Sequence, residues 1–590
     1  MAFQDFDLIS QRRQEEKKKK FKQRLILAFI VSVIVILLAA AAVCFAIYKS
    51  NERNDHNHPN SHHHPPPPPP PKPKAAQNVV KSVCATTDYK KTCESSILKE
   101  VKNNASAAPM EILRASLAAA SHEIDDVVKQ AKNIKFDTPM KKAAFNDCLV
   151  LLKDAKEELN TSIWSIKGKQ ISKLSSIKPE LNNWLSAVIS YQQTCIDGFP
   201  DGAQKDDMKK LLSSIRMLGS NALAVVSKLS SVLNKVEESP KDSVRRLLSF
   251  DQAGMPTWMN NEHRRMLKTD AATKFTPNVT VAKDNTGNFT TVNEALKAMP
   301  KNYKGRYLIY IKEGVYNETV VITKEMVNVT MYGEGSQKSI ITGSKNFDDG
   351  IPTYGTASFA ALGAGFMAQS LGFRNTAGPE KHQAVALRVQ SDRSVFLNCR
   401  MEGYQATLHA QAHRQFYRSC YITGTIDFIF GDAAALFQNC MIYVRKPAEN
   451  QQNTVTAQGR VEKRETTGMV LQNCRILADE KLEPEKAKFK SYLGRPSKEY
   501  SRTIIMESEI GDVIQPEGWK EKSGDFALKT LFYAEFGNKG AGSNTKDRVK
   551  WAGYKNMKRD EAEQFTVGPF LQGEEWLKTV DVPVRFGMFT

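Results

Sequence analysis

Four residues in the C-terminal half carry groups that together could open an ester. Asp427, within Gly424-Thr-Ile-Asp427-Phe-Ile-Phe430-Gly431, supplies a carboxylate able to attack a carbonyl carbon. Arg495, within Leu493-Gly494-Arg495-Pro496, supplies a guanidinium, and a paired guanidinium keeps a carboxylate charged and aimed. Gln383, opening Gln383-Ala-Val-Ala-Leu-Arg388, and Gln405, in Gly403-Tyr404-Gln405, offer amide N–H donors suited to the oxyanion of a tetrahedral intermediate. The competing reading of both glutamines is a ladder of structural amides. His409 follows on the same segment and titrates near neutrality, which suits a general base. No metal-ligand spacing, phosphate-binding glycine loop or nucleotide fingerprint accompanies these residues, so neither metal nor cofactor is expected.

These groups need a scaffold, and a repeat supplies one. Phe396-Leu397-Asn398-Cys399, Phe416-Tyr417-Arg418-Ser419-Cys420, Phe437-Gln438-Asn439-Cys440 and Leu471-Gln472-Asn473-Cys474 share a signature, with cysteines 21, 20 and 34 residues apart. Such a repeat predicts stacked rungs of a parallel β-helix, each burying its apolar side on the next. The longer last interval requires a loop, assigned to the polar run Lys481 to Lys490. Cysteines at one phase of adjacent rungs would stack, which makes Cys399–Cys420 and Cys440–Cys474 plausible disulfides.

The N-terminal half has a different period. Phe145, Cys148, Leu149, Leu152, Ala155 and Leu159 form one helical stripe, and Leu211, Ile215, Leu218, Val225, Leu229 and Val232 another. Residues 77–240 therefore predict an antiparallel helix bundle, with Cys84–Cys93 clipping an N-terminal hairpin and Cys148–Cys195 joining two helices. Ahead of it, residues 1–24 are a basic tail. Residues 25–48 hold no charge, are long enough to span hydrocarbon and read as a membrane anchor, a long cleaved signal peptide being the alternative. The basic flank places the N-terminus in the cytoplasm and the rest in the secretory route. Residues 49–76 contain scattered histidines and seven consecutive prolines, a stiff stalk rather than a metal site. The linker 241–277 carries two dibasic sites, Arg245-Arg246 and Arg264-Arg265, that invite a processing protease. Sequons at Asn104, Asn160, Asn278, Asn288, Asn317 and Asn328 agree with secretion. A formal net charge of +19 over 590 residues favours polyanions in general, but no nucleic-acid motif is present and nucleic acid is not expected as a partner.

Taken in order, the segments around Gln383, Gln405, Asp427 and Arg495 closely resemble the pectinesterase family. The resemblance covers 278–587 and includes Gly287-Asn288-Phe289-Thr290-Thr291, Gly314-Val315-Tyr316-Asn317-Glu318 and Gly524-Asp525-Phe526-Ala527-Leu528. The helical region resembles the pectinesterase-inhibitor domain that precedes the enzyme in many plant members, and the Arg-Arg pairs resemble that family's processing sites. The resemblance implies a right-handed parallel β-helix domain preceded by an all-α four-helix bundle, to which the charge-free run 25–48 adds an N-terminal membrane anchor. Its implied activity is removal of methyl groups from methyl-esterified homogalacturonan in the cell wall, with no cofactor and with pectinesterase-inhibitor proteins as further partners. It implies Asp427 as nucleophile, Gln405 as transition-state stabiliser, Gln383 at the oxyanion and substrate, and Arg495 orienting Asp427. Ser358, Gln383, Arg495, Ser497, His409, Phe430 and Trp519 would touch substrate.

The sequence departs from the family where it matters. The usual Tyr-Gln-Asp-Thr-Leu reads Tyr404-Gln405-Ala406-Thr407-Leu408, so Ala406 stands at the position of the proton donor. A general acid contributes roughly 10² to 10⁴ in rate, about 3 to 5 kcal/mol of barrier. Leu-Gly-Arg-Pro-Trp ends here in Ser497, Gly-Trp-Leu-Pro-Trp becomes Gly518-Trp519-Lys520-Glu521-Lys522, and His409 replaces a customary tyrosine. His409 is a candidate to replace the missing acid, although an odd offset on a straight strand points to the opposite face. The expectation is a weakened pectinesterase; the alternatives are an inactive pectin-binding paralogue, or an inhibitor of other pectinesterases acting through the helical region.

Overall fold

The computed structural model describes residues 73–101, 108–237, 276–580 and 582–589. The basic tail, the apolar stretch 25–48, the Arg-Arg sites and Asn104 lie outside them. Among the described residues no helix is long and apolar enough to cross a membrane.

Seven helices fill the N-terminal region: α1 Pro73–Cys84, α2 Lys90–Val101, α3 Pro109–Ala131, α4 Pro139–Ile166, α5 Leu174–Asp197, α6 Ala203–Leu211 and α7 Ser213–Glu237. The first begins inside the predicted stalk, because a proline at the first helical position gives up only an N–H that would lack a partner anyway. The start of α4 is fixed similarly by Pro139 and by Thr138, whose Oγ1 accepts the Lys141 N–H at 3.3 Å. The long helices α3, α4, α5 and α7 share one core, in which Leu152 and Ala155 of the first predicted stripe and Ile215 and Val225 of the second meet Leu185 and Val188 of α5. Cys84–Cys93 and Cys148–Cys195 form as expected, joining α1 to α2 and α4 to α5.

The C-terminal region is a parallel β-helix with three faces. An eleven-stranded sheet runs from Val279–Val281 to Tyr554–Asn556, a seven-stranded sheet from Val320–Ile322 to Ser491–Gly494, and an eight-stranded sheet from Gly314–Asn317 to Glu509–Ile510. The repeated Asn-Cys signature has a local cause. Asn398, Asn439 and Asn473 occupy the left-handed backbone region, at φ of 51°, 57° and 53°, where each coil bends from one sheet to the next. Asparagine tolerates that conformation far better than most residues. The aromatics before it point inward and stack rung on rung, with ring centroids 4.9 Å apart for Phe396–Tyr417 and 4.5 Å for Tyr417–Phe437.

Two expectations are corrected here. Cys399, Cys420, Cys440 and Cys474 do stack in register, but all four are free thiols. In-register parallel strands keep equivalent side chains about 4.8 Å apart and pointing the same way, beyond the usual Cβ spacing of a disulfide. Each thiol instead donates to a carbonyl of the preceding rung, as Cys420 does to Phe396 O at 3.3 Å. The long interval between Cys440 and Cys474 is filled by the segments 445–452 and 459–467, whereas Lys481 to Lys490 lies beyond Cys474.

The helical region packs on the β-helix. Tyr354, Ala412 and Val461 of the β-helix belong to the helical core. Carboxylates of the helical region meet cations on the coils: Glu180 of α5 accepts Arg414 Nη1 and Nη2 at 2.9 and 2.8 Å, and Asp88, in the turn between α1 and α2, accepts Lys463 Nζ at 2.9 Å and Arg464 Nη1 at 2.7 Å.

Candidate active site

The site is built on four successive strands of the seven-stranded sheet: Leu387–Val389, Leu408–Ala410, Ile429–Gly431 and Asn453–Gln458. Leu387 pairs with Leu408, Leu408 with Ile429, and Ile429 with Thr456. Two residues upstream, that register stacks Val385, Ala406, Asp427 and Thr454 in one row. Asp427 and Ala406 both bend the chain there in the left-handed region, at φ of 49° and 63°.

Arg495 grips Asp427 with two parallel bonds, Nε to Oδ1 at 2.8 Å and Nη2 to Oδ2 at 2.7 Å. Such a fork fixes orientation as well as charge. Burial works against the guanidinium, yet the Asp427 carboxylate more than offsets it and lifts Arg495 above its ordinary range. Thr454 Oγ1 donates to Oδ1 at 2.6 Å and accepts the Asp427 N–H at 2.9 Å. Oδ1 is therefore held twice, while Oδ2 keeps a lone pair free for attack. Thr454 was not singled out from the sequence; the alternating Asn453-Thr-Val-Thr-Ala-Gln458 run was the only signal for it.

Gln383, Gln405, Ala406, His409, Phe430 and Ser497 line one cavity with Asp427, of about 260 Å³. Neither glutamine side chain has a hydrogen-bond partner among the described residues, so their N–H groups remain available to an oxyanion. Ala406 is buried and packs with Ala357, Val385 and Phe430. The wall beside Asp427 is thus apolar at the position where a proton donor was expected. His409 also faces the cavity, its ring stacked on Phe430 at 4.3 Å between centroids. Burial first, and then the Arg388 guanidinium, push its pKa down to about 3. A neutral imidazole of that kind is a poor replacement for the missing acid.

Two predicted substrate contacts fall elsewhere. Trp519 is 1% exposed, donates Nε1–H to Glu535 Oε1 at 3.2 Å and packs on Tyr533. It belongs to the core of the β-helix, because the strand pairing of Gly494 with Trp519 turns the indole inward. Ser358 is 2% exposed, and its hydroxyl donates to Arg374 O at 2.8 Å inside the coil. The sequon asparagines Asn160, Asn278, Asn288, Asn317 and Asn328 are all exposed.

The helical region forms the remaining wall, which the sequence did not reveal. Ser190, Gln193, Thr194 and Asp197 of α5 line the cavity opposite Asp427. Ser190 Oγ donates to Gln411 O at 2.7 Å, and Lys498 Nζ donates to Asp197 Oδ1 at 2.6 Å. At the far end, Asp432 accepts Gln458 Nε2 at 3.0 Å and Thr467 Oγ1 at 2.6 Å through Oδ1, while its Oδ2 and Glu465 Oε1 have no other donor. Burial raises both carboxyls, Asp432 to about 6, and Asp432 raises Glu465 further.

Comparison with known proteins agrees with this architecture. The family model described as Pectinesterase matches residues 278–574, and that described as Plant invertase/pectin methylesterase inhibitor matches 78–225. Pectinesterase/pectinesterase inhibitor 45 of Arabidopsis thaliana is 51% identical over 525 residues, 88% of this chain and 86% of that protein. Pectinesterase 3 of Citrus sinensis is 40% identical over 524 residues, 86% of this chain and 88% of its own. The solved pectin methylesterase from carrot is 48% identical with a TM-score of 0.53, and the match covers 54% of this chain and 100% of that one.

Proposed function

The chain belongs to the pectinesterase family of carboxylic ester hydrolases, and from that premise we propose that it hydrolyses methyl esters of cell-wall homogalacturonan to pectate and methanol, at a reduced rate. The observation that carries this is Asp427, held by two bonds from Arg495 and lining one cavity with two unpartnered glutamine amides. In this reading Asp427 Oδ2 attacks the ester carbonyl carbon, and the Gln383 and Gln405 N–H groups stabilise the oxyanion. The C–OCH₃ bond breaks, methoxide takes a proton from groove water in place of the missing carboxylic acid, and methanol leaves. The hydroxide left by that water then adds to the acyl-enzyme and breaks its anhydride bond, restoring the Asp427 carboxylate and releasing the uronate and one proton. Ser497, His409 and Phe430 would contact the polysaccharide.

The same reading makes the chain a precursor, anchored through 25–48, delivered by the secretory route, cut at one Arg-Arg site and released to the cell wall. The apolar packing of Ala406 and the suppressed basicity of His409 favour a second reading, a pectin-binding protein without turnover. Methanol release from methyl-esterified galacturonan by the fragment Lys268–Thr590 separates the two. Turnover supports the enzyme, while retention on the polysaccharide without methanol selects the binding protein.

A further inference from the structure

Trp164, in the last turn of α4, is 78% exposed, the most exposed large apolar side chain among the described residues. With Met110 and Ile163 it lines a cavity of about 640 Å³ between the start of α3 and the end of α4. Exposed apolar surface gathered in a concavity, unlike a lone surface side chain, marks a contact site. Asn160 lines the same cavity, one helical turn before Trp164. Helical side chains lean towards the N-terminus, so the indole lies over the turn that carries Asn160. Ser121 Oγ of α3 donates to Asn160 Oδ1 at 3.3 Å, which fixes the amide and leaves Nδ2 without a partner among the described residues. Arg114, whose Nε donates to Glu111 at 2.8 Å, and Lys169 complete a polar rim able to hydrogen-bond hydroxyls.

We propose that Asn160 carries an N-linked glycan whose first sugar ring packs on the Trp164 indole and fills this cavity. A pyranose offers its C–H face to the indole and its hydroxyls to the rim. The transfer joins Asn160 Nδ2 to C1 of a lipid-pyrophosphate-linked oligosaccharide; the bond from C1 to the phosphate oxygen breaks, the amide gives up one proton, and the lipid pyrophosphate leaves. It precedes folding, because Ser162 of the acceptor sequence is fully buried in the finished helix and donates to Glu158 O at 2.8 Å. A sequon alone does not select this asparagine. Asn278 also heads one, yet its Nδ2 donates to Tyr303 Oη at 3.0 Å and its Oδ1 accepts the Leu308 N–H at 2.7 Å, so its amide already ties the chain together. The proposal rests on the secretory-route reading and is independent of ester hydrolysis.

The test uses the full chain expressed through a secretory pathway, its glycans trimmed enzymatically to a single N-acetylglucosamine. Peptide mass analysis should find that sugar on Asn160. A tryptophan-oxidising reagent should modify Trp164 several-fold more slowly in this protein than in Asn160→Gln. Trp164→Ala should lower the unfolding midpoint of the helical region by about 2 to 4 °C when Asn160 is glycosylated, and by less than half as much in Asn160→Gln. Trp164→Phe should retain most of the sugar-dependent gain, which separates ring packing from misfolding. Sugar on other sequons with Asn160 bare would overturn the proposal. So would an occupied Asn160 beside a Trp164 as reactive as in Asn160→Gln, with equal midpoint losses in the two backgrounds. Protection of Trp164 by added polygalacturonate, and not by the attached sugar, would overturn it as well and give the cavity to the wall polysaccharide. A chain with no sugar on any sequon sinks the secretory reading, and this proposal with it.

Discussion

Replacing Ala406 by aspartate should raise methanol release by roughly 10² to 10⁴, the range a positioned general acid contributes. The register stacks this position directly against Asp427, about 4.8 Å away across one rung. Two carboxylates at that distance repel by about 3 kcal/mol at an effective dielectric near 20, equivalent to about 2 pKa units. The introduced carboxyl would therefore hold its proton to about pH 6, as an acid poised beside an ionised nucleophile must. The backbone accepts the change: φ at Ala406 is 63°, a region aspartate tolerates better than alanine. The assay is initial methanol release from methyl-esterified galacturonan by Lys268–Thr590 and its A406D variant between pH 4 and 9, with a thermal scan of both. The expected result is a gain at pH 5 and a falling limb near pH 6 that the natural fragment lacks. A folded variant gaining less than about threefold, or one whose profile has no such limb, would refute the argument that the missing acid limits this site.

Three further outcomes follow from the same contacts. Asp432 is raised to about 6 by burial, so its contribution to stability is fully present below about pH 4 and fades as pH rises through 6; Asp432→Asn should stabilise the protein at pH 7.5 relative to pH 4.5, by up to about 3 kcal/mol, in urea melts at the two pH values. Trp519→Ala should cost about 3 to 5 kcal/mol of stability, visible in denaturant unfolding, because the indole fills the coil interior rather than the groove. Breaking the Cys148–Cys195 bond by Cys148→Ser should destabilise the helical region by about 4 kcal/mol for a separation of 47 residues, measured as a shift of its unfolding midpoint.

The repeat was legible because one bend per coil needs a left-handed residue followed by an inward one, and Asn-Cys meets both demands at a fixed spacing. Helical stripes were legible for the same reason, since each long helix buries a single face. What periodicity does not encode is which way a neighbouring pair of side chains points. Four stacked cysteines therefore suggested disulfides that parallel register disfavours, and Trp519 read as a sugar platform although its strand turns it into the core. Asp427, Arg495 and the two glutamines carried their chemistry in residue type, but Thr454 is one threonine among many until the sheet brings its hydroxyl to Asp427. The α5 wall was illegible for a deeper reason: Asp197 and Lys498 lie 301 residues apart, and no local pattern marks a contact of that range.

The central claim is that Asp427, held by Arg495, opens the methyl ester. Its most direct test is methanol release by the fragment Lys268–Thr590 beside the same fragment carrying Asp427→Asn, which keeps the shape and removes the nucleophilic carboxylate. Slow release by the natural fragment, lost on substitution while the variant still binds galacturonan, is the predicted result. Release that survives Asp427→Asn unchanged would contradict the account and move the chemistry to another group.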